Sequence, residues 1–216
     1  MGAYLTQNTR WGNVEIAMSK LRSARVLSVA GIRKLSLPKL ERLIRSSGYF
    51  RQKARRLKTF VTFLDRKYGG SLKEMFLQPT SKLREELLSL NGVGPETADS
   101  ILLYAGQHPT FVVDAYTRRL AARHRILPEN APYEDVRGLF ERALAFAPPL
   151  AHGDSSVPSS GGASHGPSRM SLALRLPLAQ TFNEMHGLIV SAGKKYCVKS
   201  NPRCDECPLR PLLPGA

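Results

Sequence analysis

The chain has 216 residues, enough for one large or two small domains with a substantial core. Its 32 Lys and Arg against 17 Asp and Glu give a formal net charge of +15, which indicates a polyanionic partner, with nucleic acid ahead of a membrane surface. No apolar run reaches the roughly 18 residues of a membrane span, and the N-terminus carries no signal-peptide pattern. A soluble, intracellular protein that acts in the cytoplasm or nucleoid is therefore expected.

The basic residues are concentrated near the N-terminus. Between Arg10 and Lys67 the chain has sixteen Lys and Arg against three acids, so this segment alone supplies +13. Such an excess is typical of a DNA-facing surface that displaces counterions from phosphates, although a solvated helical face is the alternative. The predicted helix from Phe50 to Lys67 has an apolar face, and the residues predicted largely on its opposite, basic face are Arg51, Lys53, Arg55, Arg56 and Lys58.

Apolar residues recur at helical spacing through most of the chain, and no stretch has the pattern of a strand. The expected fold class is therefore all-α. Helices are predicted at Trp11–Arg25, Ser36–Gly48, Phe50–Lys67, Leu72–Phe76, Lys82–Leu88, Pro95–Ala105, Asp114–His124, Pro132–Phe146 and Leu178–Lys194. Residues 148–175 are rich in Ser, Gly, Pro and His, and this composition predicts a disordered insertion.

Two glycines one residue apart, Gly92 and Gly94, lead into Pro95, a residue suited to the first position of a helix. Backbone N–H groups at a helix start favour a phosphate, because they lie at the positive end of the helix dipole. Asp114 follows an apolar run further along and opens the next predicted helix, which places a lone carboxylate close to the phosphate site. A plain turn and an N-cap are the structural alternatives for these two features.

Together these segments resemble the endonuclease III superfamily of helix-hairpin-helix DNA glycosylases (HhH-GPD), and in motif they are closest to its monofunctional 3-methyladenine-type subgroup. The segments that carry the resemblance are LSLNGVGPETADSILLYAG, FVVDAYTRRL, LTQNT, LIRSSGYFRQKARRLK, HGLIVSAGKKYC and CVKSNPRCDECPL. The resemblance implies two helical domains flanking a DNA-binding cleft. One would comprise residues 1–20 and 125–216 and the other residues 21–124, with the helix-hairpin-helix at 88–106.

The resemblance also implies an activity, namely base excision repair of double-stranded damaged DNA. Such an enzyme flips a damaged nucleotide out of the duplex and hydrolyses its N-glycosidic bond. Asp114 matches the family's catalytic aspartate, whose carboxylate would stabilise the positive charge that develops on the sugar or orient a water molecule. An alkylated purine is a candidate lesion, because it already carries positive charge and is a good leaving group.

Glu96 departs from the pattern of the lyase-type members, which have a lysine two residues after the second glycine. A carboxylate cannot form a Schiff base, so the expected enzyme is monofunctional. The alternative role of Glu96 is a favourable interaction with the helix dipole. The alternative functions are an endonuclease III-type glycosylase and lyase that uses another amine, and a catalytically impaired DNA-binding paralogue.

By the same resemblance the hairpin grips the DNA backbone, with a monovalent cation at its carbonyl groups, and Gln7 fills the gap left in the duplex. The residues expected to contact DNA are Leu90, Gly92, Val93, Gly94, Thr97 and Gln7. Trp11 is a candidate for stacking on the flipped base, with core packing as the alternative. Lys194 is a candidate for lining the base pocket, with a solvated position as the alternative. The protein is expected to act as a monomer.

Three cysteines near the C-terminus, Cys197, Cys204 and Cys207, indicate a metal or cluster site rather than disulfides. They match the first three ligands of the family's [4Fe–4S] loop, whereas Leu213 stands in the fourth position. Cubane clusters normally use four thiolates. The alternatives are an outside ligand, a cluster with an open iron, a decayed site, and a zinc site that uses His186.

Overall fold

A computed structural model of the chain describes residues 1–146 and 176–215. These residues form helices and turns and contain no strand, so the expected all-α fold is confirmed. The predicted insertion at 148–175 lies outside the described residues. Among the described helices, none combines the length and the apolar character that a membrane span requires.

Nine of the eleven α-helices in the described residues correspond to predicted helices. The eleven are α1 (Gly2–Thr6), α2 (Trp11–Ser23), α3 (Val29–Lys34), α4 (Leu37–Leu43), α5 (Phe50–Tyr68), α6 (Leu72–Phe76), α7 (Thr80–Leu88), α8 (Pro95–Ile101), α9 (Ala115–Arg123), α10 (Tyr133–Ala145) and α11 (Pro177–Lys195). The two that correspond to no predicted helix are α1 and α3. Short 3-10 helices lie at Arg45–Ser47 and Arg210–Leu212, and a π-helical turn at Leu102–Gly106 follows α8 directly.

The chain divides into two compact units, Met1–Ile101 and Leu102–Ala216. The first unit contains α1 to α8, and α1 packs within it against α2, α5 and α8. The second contains the π-helical turn and α9 to α11. The grouping implied by the resemblance, which joins residues 1–20 to residues 125–216, differs from this division and stays a prediction.

Helix α5 uses part of its positive charge inside the first unit. Lys53 is 1% exposed, and its Nζ donates hydrogen bonds to the carbonyl oxygens of Leu5 at 2.9 Å and Ser47 at 2.6 Å. The Nζ of Lys58 donates to the carbonyl oxygens of Ile32 at 2.7 Å and Leu35. The prediction that Lys53 lies on the basic face of α5, opposite its apolar face, is therefore wrong, whereas Lys58 is half-buried. Their long stems instead carry the ammonium groups to backbone carbonyls.

Desolvation lowers the pKa of both lysines. Desolvation, with a smaller contribution from the charge of Arg56, lowers the pKa of Lys53 to about 8. A buried ammonium is tolerated because backbone carbonyls replace the hydrogen bonds that water would otherwise supply.

In the second unit, α9 and α11 lie side by side. The Nη2 of Arg119 donates to the carbonyl oxygen of Gly193 at 3.2 Å, and its Nε donates to that of Cys197 at 2.6 Å. One turn further along α9, Arg123 donates to the carbonyl oxygen of Val198 at 2.8 Å. Because the paired residues advance in the same direction on both segments, the two helices run roughly parallel.

Gly193 determines how closely α9 and α11 approach each other. A Cβ atom at this position would lie 2.5 Å from Cδ1 and 2.9 Å from Cβ of Tyr116. The Tyr116 ring therefore rests on the bare backbone of α11, and its centroid is 5.0 Å from the guanidinium carbon of Arg119. Glycine is required here for space.

We expect Gly193→Ala to lower the free energy of unfolding by about 1–3 kcal/mol, because the added methyl overpacks the Tyr116 contact. Gly187→Ala, on the same helix, is the matched control: no atom lies within 4 Å of its added Cβ. Alanine in a helix interior is favoured over glycine by about 1 kcal/mol, so this control variant should be more stable than wild type. Denaturant unfolding measures both, and equal stabilities of the two variants would contradict this account of the packing.

Candidate active site and DNA-binding hairpin

Asp114 is the N-cap residue of α9. Its Oδ1 accepts hydrogen bonds from the backbone N–H of Thr117 at 2.8 Å and from the Thr117 hydroxyl at 3.1 Å. The residues before it, Val112 and Val113, are buried in the apolar core of the second unit and fix the chain where α9 begins. The N-cap interpretation of Asp114 is therefore correct as far as local structure goes. It leaves Oδ2 available for a second role.

Oδ2 of Asp114 faces a histidine on α11. The Nε2 of His186 lies 3.5 Å from Oδ2, longer than a well-formed hydrogen bond. The other ring nitrogen, Nδ1, contacts the hydroxyl of Tyr104 in the π-helical turn. Asp114, His186 and Tyr104 thus form a chain of polar groups, which together with Thr117 we call the Asp114 site.

The Asp114 site keeps its carboxylate ionised. Burial raises the pKa of Asp114, but the nearby His186 ring acts in the opposite direction, as do the two Thr117 donors. The net result is a pKa of Asp114 below its ordinary value. At neutral pH this side chain is therefore a half-buried anion that is able to act as a base or to stabilise an adjacent positive charge.

Sequence reasoning found Asp114 but not its partners. His186 lies at helical spacing from the buried residues Phe182 and Ile189, and this pattern was the available signal that it faces inward. That it meets Asp114 depends on the packing of α9 against α11. The position of Tyr104 depends also on the π-helical turn. The periodicity predicted this turn as a continuation of α8.

The second candidate feature is the turn between α7 and α8, residues 90–94, which we call the hairpin turn. Gly92 has φ of +80°, and a Cβ on it would lie 2.0 Å from Nε of Arg56. The Nε2 of Gln7 donates to the carbonyl oxygen of Gly92 and to Oγ1 of Thr97, both at 2.9 Å. Arg56 in turn donates to Oε1 of Gln7 at 2.7 Å. Gln7 and Arg56 therefore hold the hairpin turn in place.

The predicted DNA-contact residues differ in exposure. Val93 and Thr97 are buried, Leu90 is half-buried, and Gly94 is exposed with no atom within 4 Å of an added Cβ. The backbone at Gly94 is thus open to a close approach. The insertion of Gln7 into a duplex stays a prediction, since its amide is engaged within the first unit.

The monovalent cation also stays a prediction. The carbonyl oxygen of Leu90 accepts a hydrogen bond from the N–H of Val93, and that of Gly92 accepts one from Gln7. Each of the two oxygens retains one lone pair, which is the capacity that a cation would use.

The remaining predicted site residues lie at the surface. Trp11 opens α2 and is 48% exposed, so its ring is not part of the core. Lys194 is exposed in the last turn of α11, and Glu96 is exposed in the first turn of α8. Their roles in base binding and chemistry stay predictions.

The cysteine segment, residues 196–213, supplies three of the four thiolates that a cubane cluster normally uses. In the described parts of the chain, no three His, Cys, Asp or Glu side chains are placed to share a metal ion. Cys197, Cys204 and Cys207 are free thiols, and Sγ of Cys197 accepts a hydrogen bond from Nη1 of Arg123 at 3.2 Å. Leu213 supplies no ligand in the fourth position. His186 faces Tyr104 and Asp114, so the zinc alternative that uses it lacks support as well.

Arginines connect the cysteine segment to α9 instead. Arg119 and Arg123 donate to backbone carbonyls between Gly193 and Lys199, and Nδ1 of His124 lies 3.1 Å from the carbonyl oxygen of Leu212. These contacts fix the C-terminal segment against the helix that Asp114 caps. The segment therefore has a structural support that does not involve its thiols as ligands.

Comparisons with known proteins find relatives that match most of this chain. A Methanocaldococcus jannaschii protein named provisionally as a DNA repair glycosylase is 38% identical over 212 residues, which span 97% of this chain and 81% of the relative. Endonuclease III of Thermotoga maritima is 28% identical over 206 residues, 95% of this chain and 76% of the relative. The crystal structure of H. pylori 3-methyladenine DNA glycosylase (MagIII) bound to 1,N6-ethenoadenine matches with a TM-score of 0.70 and 27% identity, over 90% of this chain and 82% of that one.

The family profile described as HhH-GPD superfamily base excision DNA repair protein matches residues 1–145. This range includes both the hairpin turn and Asp114. The resemblance stated from the sequence motifs is thereby confirmed. This chain belongs to the HhH-GPD superfamily of base excision DNA repair proteins.

Proposed function

We propose that the protein is a monofunctional DNA glycosylase that releases an alkylated purine from double-stranded DNA and leaves an abasic site. The observation that carries the proposal is Asp114, a half-buried and ionised carboxylate in a base excision repair protein that has Glu96 where lyase-type members have lysine. Its action on chromosomal DNA, inside the cell and as a monomer, is part of the same proposal.

Asp114 has the properties that glycosidic hydrolysis needs. Departure of the base leaves positive charge on the sugar, and a fixed anion in a poorly solvated site stabilises such charge more strongly than water does. Thr117 holds Oδ1 with two donors, so the carboxylate does not have to be ordered when the substrate binds. Oδ2 is then the oxygen that faces the sugar or an attacking water molecule.

The absence of an amine at position 96 supports hydrolysis without strand cleavage. Glu96 is exposed in the first turn of α8, where a carboxylate favours the helix dipole. The second candidate function is a bifunctional glycosylase and lyase, which the similarity to endonuclease III of T. maritima favours. A DNA-binding paralogue with impaired catalysis is the third.

Two observations support an alkylated purine as the substrate. The H. pylori relative is a 3-methyladenine DNA glycosylase whose structure contains 1,N6-ethenoadenine. Trp11 presents an exposed indole, the side chain that stacks best on a cationic base. An alkylated purine leaves readily, so the site needs an anion and a stacking surface more than a strong acid.

We further propose that this activity requires no iron–sulfur cluster. The hydrogen bonds of Arg119 and Arg123 to the cysteine segment support this part of the proposal. The segment is held to α9 by guanidinium groups, so the position of Asp114 does not rely on thiolate ligation.

The test is a panel of duplex oligonucleotides containing 3-methyladenine, 1,N6-ethenoadenine, thymine glycol or a G·T mismatch, incubated with protein purified without added iron. We expect release of an alkylated base and strand breaks only after alkali treatment. Strand cleavage without alkali would contradict the monofunctional proposal, and no base release from any duplex would contradict the glycosylase proposal.

Borohydride trapping sharpens the distinction from a lyase. The wild-type protein should give no covalent adduct with lesion-containing DNA, since only a Schiff base is reduced to a stable link. Glu96→Lys places an amine at the position used by lyase-type members and is the matched variant expected to give an adduct. An adduct formed by the wild type would favour the bifunctional alternative.

Substitution of the two glycines in the hairpin turn should have two different effects. Gly94→Ala should leave the free energy of unfolding nearly unchanged, because there is space for its Cβ, but should weaken binding to duplex DNA by about tenfold or more, because the methyl lies where a phosphate approaches the backbone. Gly92→Ala should destabilise the fold itself by about 1–3 kcal/mol, since its φ is +80° and Arg56 occupies the space. Fluorescence anisotropy and denaturant unfolding measure the two effects, and unimpaired DNA binding by Gly94→Ala would contradict the proposed contact.

A further inference from the structure

His186 is a buried polar side chain that the mechanism above does not use. It is 8% exposed, and its ring packs edge-on against Phe111 with centroids 6.3 Å apart. Its Nε2 makes no hydrogen bond within the described part of the chain, and it faces Oδ2 of Asp114 at 3.5 Å. A leucine or phenylalanine would fill this apolar position without the cost of burying a polar ring.

The contact with Tyr104 defines which nitrogen carries the proton. An anion close to one ring nitrogen favours the tautomer that carries its hydrogen on that nitrogen, which here is Nε2. Nδ1 is then the acceptor, and the Tyr104 hydroxyl donates to it. The hydrogen atoms thus point from Tyr104 towards His186 and from His186 towards Asp114. Tyr104 lies in the π-helical turn, an irregularity that often occurs at functional sites.

We propose that His186, oriented by Tyr104, is a positioning residue for Asp114: its Nε2 faces Oδ2 from 3.5 Å and stabilises the carboxylate in the anionic form that base release requires. The inference rests on the proposed catalytic role of Asp114. It assigns a role in that reaction to a side chain of α11 and to one in the π-helical turn.

The surroundings leave few other groups that could have this effect. On α11 the neighbours of His186 one turn away are Phe182, Asn183, Ile189 and Val190, none of which ionises. Asp114 and Tyr104 are the titratable groups that face the ring from the segments packed against it. Glu141 of α10 is engaged with Arg137 and the backbone N–H of Phe111.

The direction of the pKa shift agrees with this geometry. Burial alone would raise the pKa of Asp114, and His186 is the first of the groups that lower it again. Loss of the imidazole should therefore leave the burial effect opposed by the two Thr117 donors alone. The carboxyl group would then become protonated as the pH falls through a range in which the wild-type carboxylate stays ionised.

The experiment measures the pKa of Asp114 by carbon-13 NMR of the side-chain carboxyl in the free protein, and the pH dependence of single-turnover base release from a 1,N6-ethenoadenine duplex. His186→Phe keeps the ring volume and should raise the Asp114 pKa by about one, a tenfold change in the ionisation constant, and move the acid limb of the rate profile upward by the same amount. His186→Gln retains an N–H donor and should raise the Asp114 pKa less than His186→Phe does. Tyr104→Phe should give a smaller shift in the same direction.

His108→Phe is the matched control, because His108 is a histidine of the same unit that is also 8% exposed and is not among the groups that shift the pKa of Asp114. The inference would be overturned if the Asp114 pKa were unchanged in both His186→Phe and Tyr104→Phe. It would also be overturned if His108→Phe shifted the Asp114 pKa as much as His186→Phe does. The NMR titration needs no catalysis. A wild-type protein that releases no base would therefore contradict the proposed function, while the titration alone would still decide whether His186 controls Asp114.

Discussion

The hydrogen bonds between Asp114 and Thr117 are the interaction on which the proposed chemistry depends. They satisfy a free N–H group at the start of α9 and in the same step fix one oxygen of the carboxylate. The position of that carboxylate therefore follows from the position of α9. Helix α9 is in turn set against α11 by the contact of Tyr116 with Gly193 and by the hydrogen bonds of Arg119 and Arg123. Helix packing thus determines where the anion lies.

The large positive charge has two uses in this protein. Part of it is structural: Lys53 and Lys58 bind backbone carbonyls, and Arg56 supports the hairpin turn through Gln7. In the second unit, Arg119 and Arg123 bind the C-terminal segment. A net charge therefore overstates the number of cations available for phosphate contacts. What remains exposed is still strongly positive, in keeping with a protein whose family repairs DNA.

Much of the helical framework was predictable because its signals are local. Pro95 and Gly92 marked the start of α8 and the turn before it, and the apolar stripe of α5 predicted that helix to within one residue at its end. Helix α3 was missed, since only Ile32 of its six residues is buried and no apolar stripe marks the segment. The Ser28 side chain caps this helix, and Gly31 lies so close to the backbone of Val26 that a side chain would not fit. The contacts of Lys53 and His186 depend on partners distant in sequence, so no local pattern could predict them.

The central claim is that the charge of Asp114, and not only its hydrogen bond to α9, is needed for base release. Asp114→Asn separates the two roles, because asparagine is as good an N-cap as aspartate but carries no charge. We expect this variant to unfold at the same denaturant concentration as wild type, to bind lesion-containing duplex at least as tightly, and to release base about 100-fold more slowly or worse in single-turnover assays. A release rate within about threefold of wild type would contradict the account, since a cap alone would then explain Asp114.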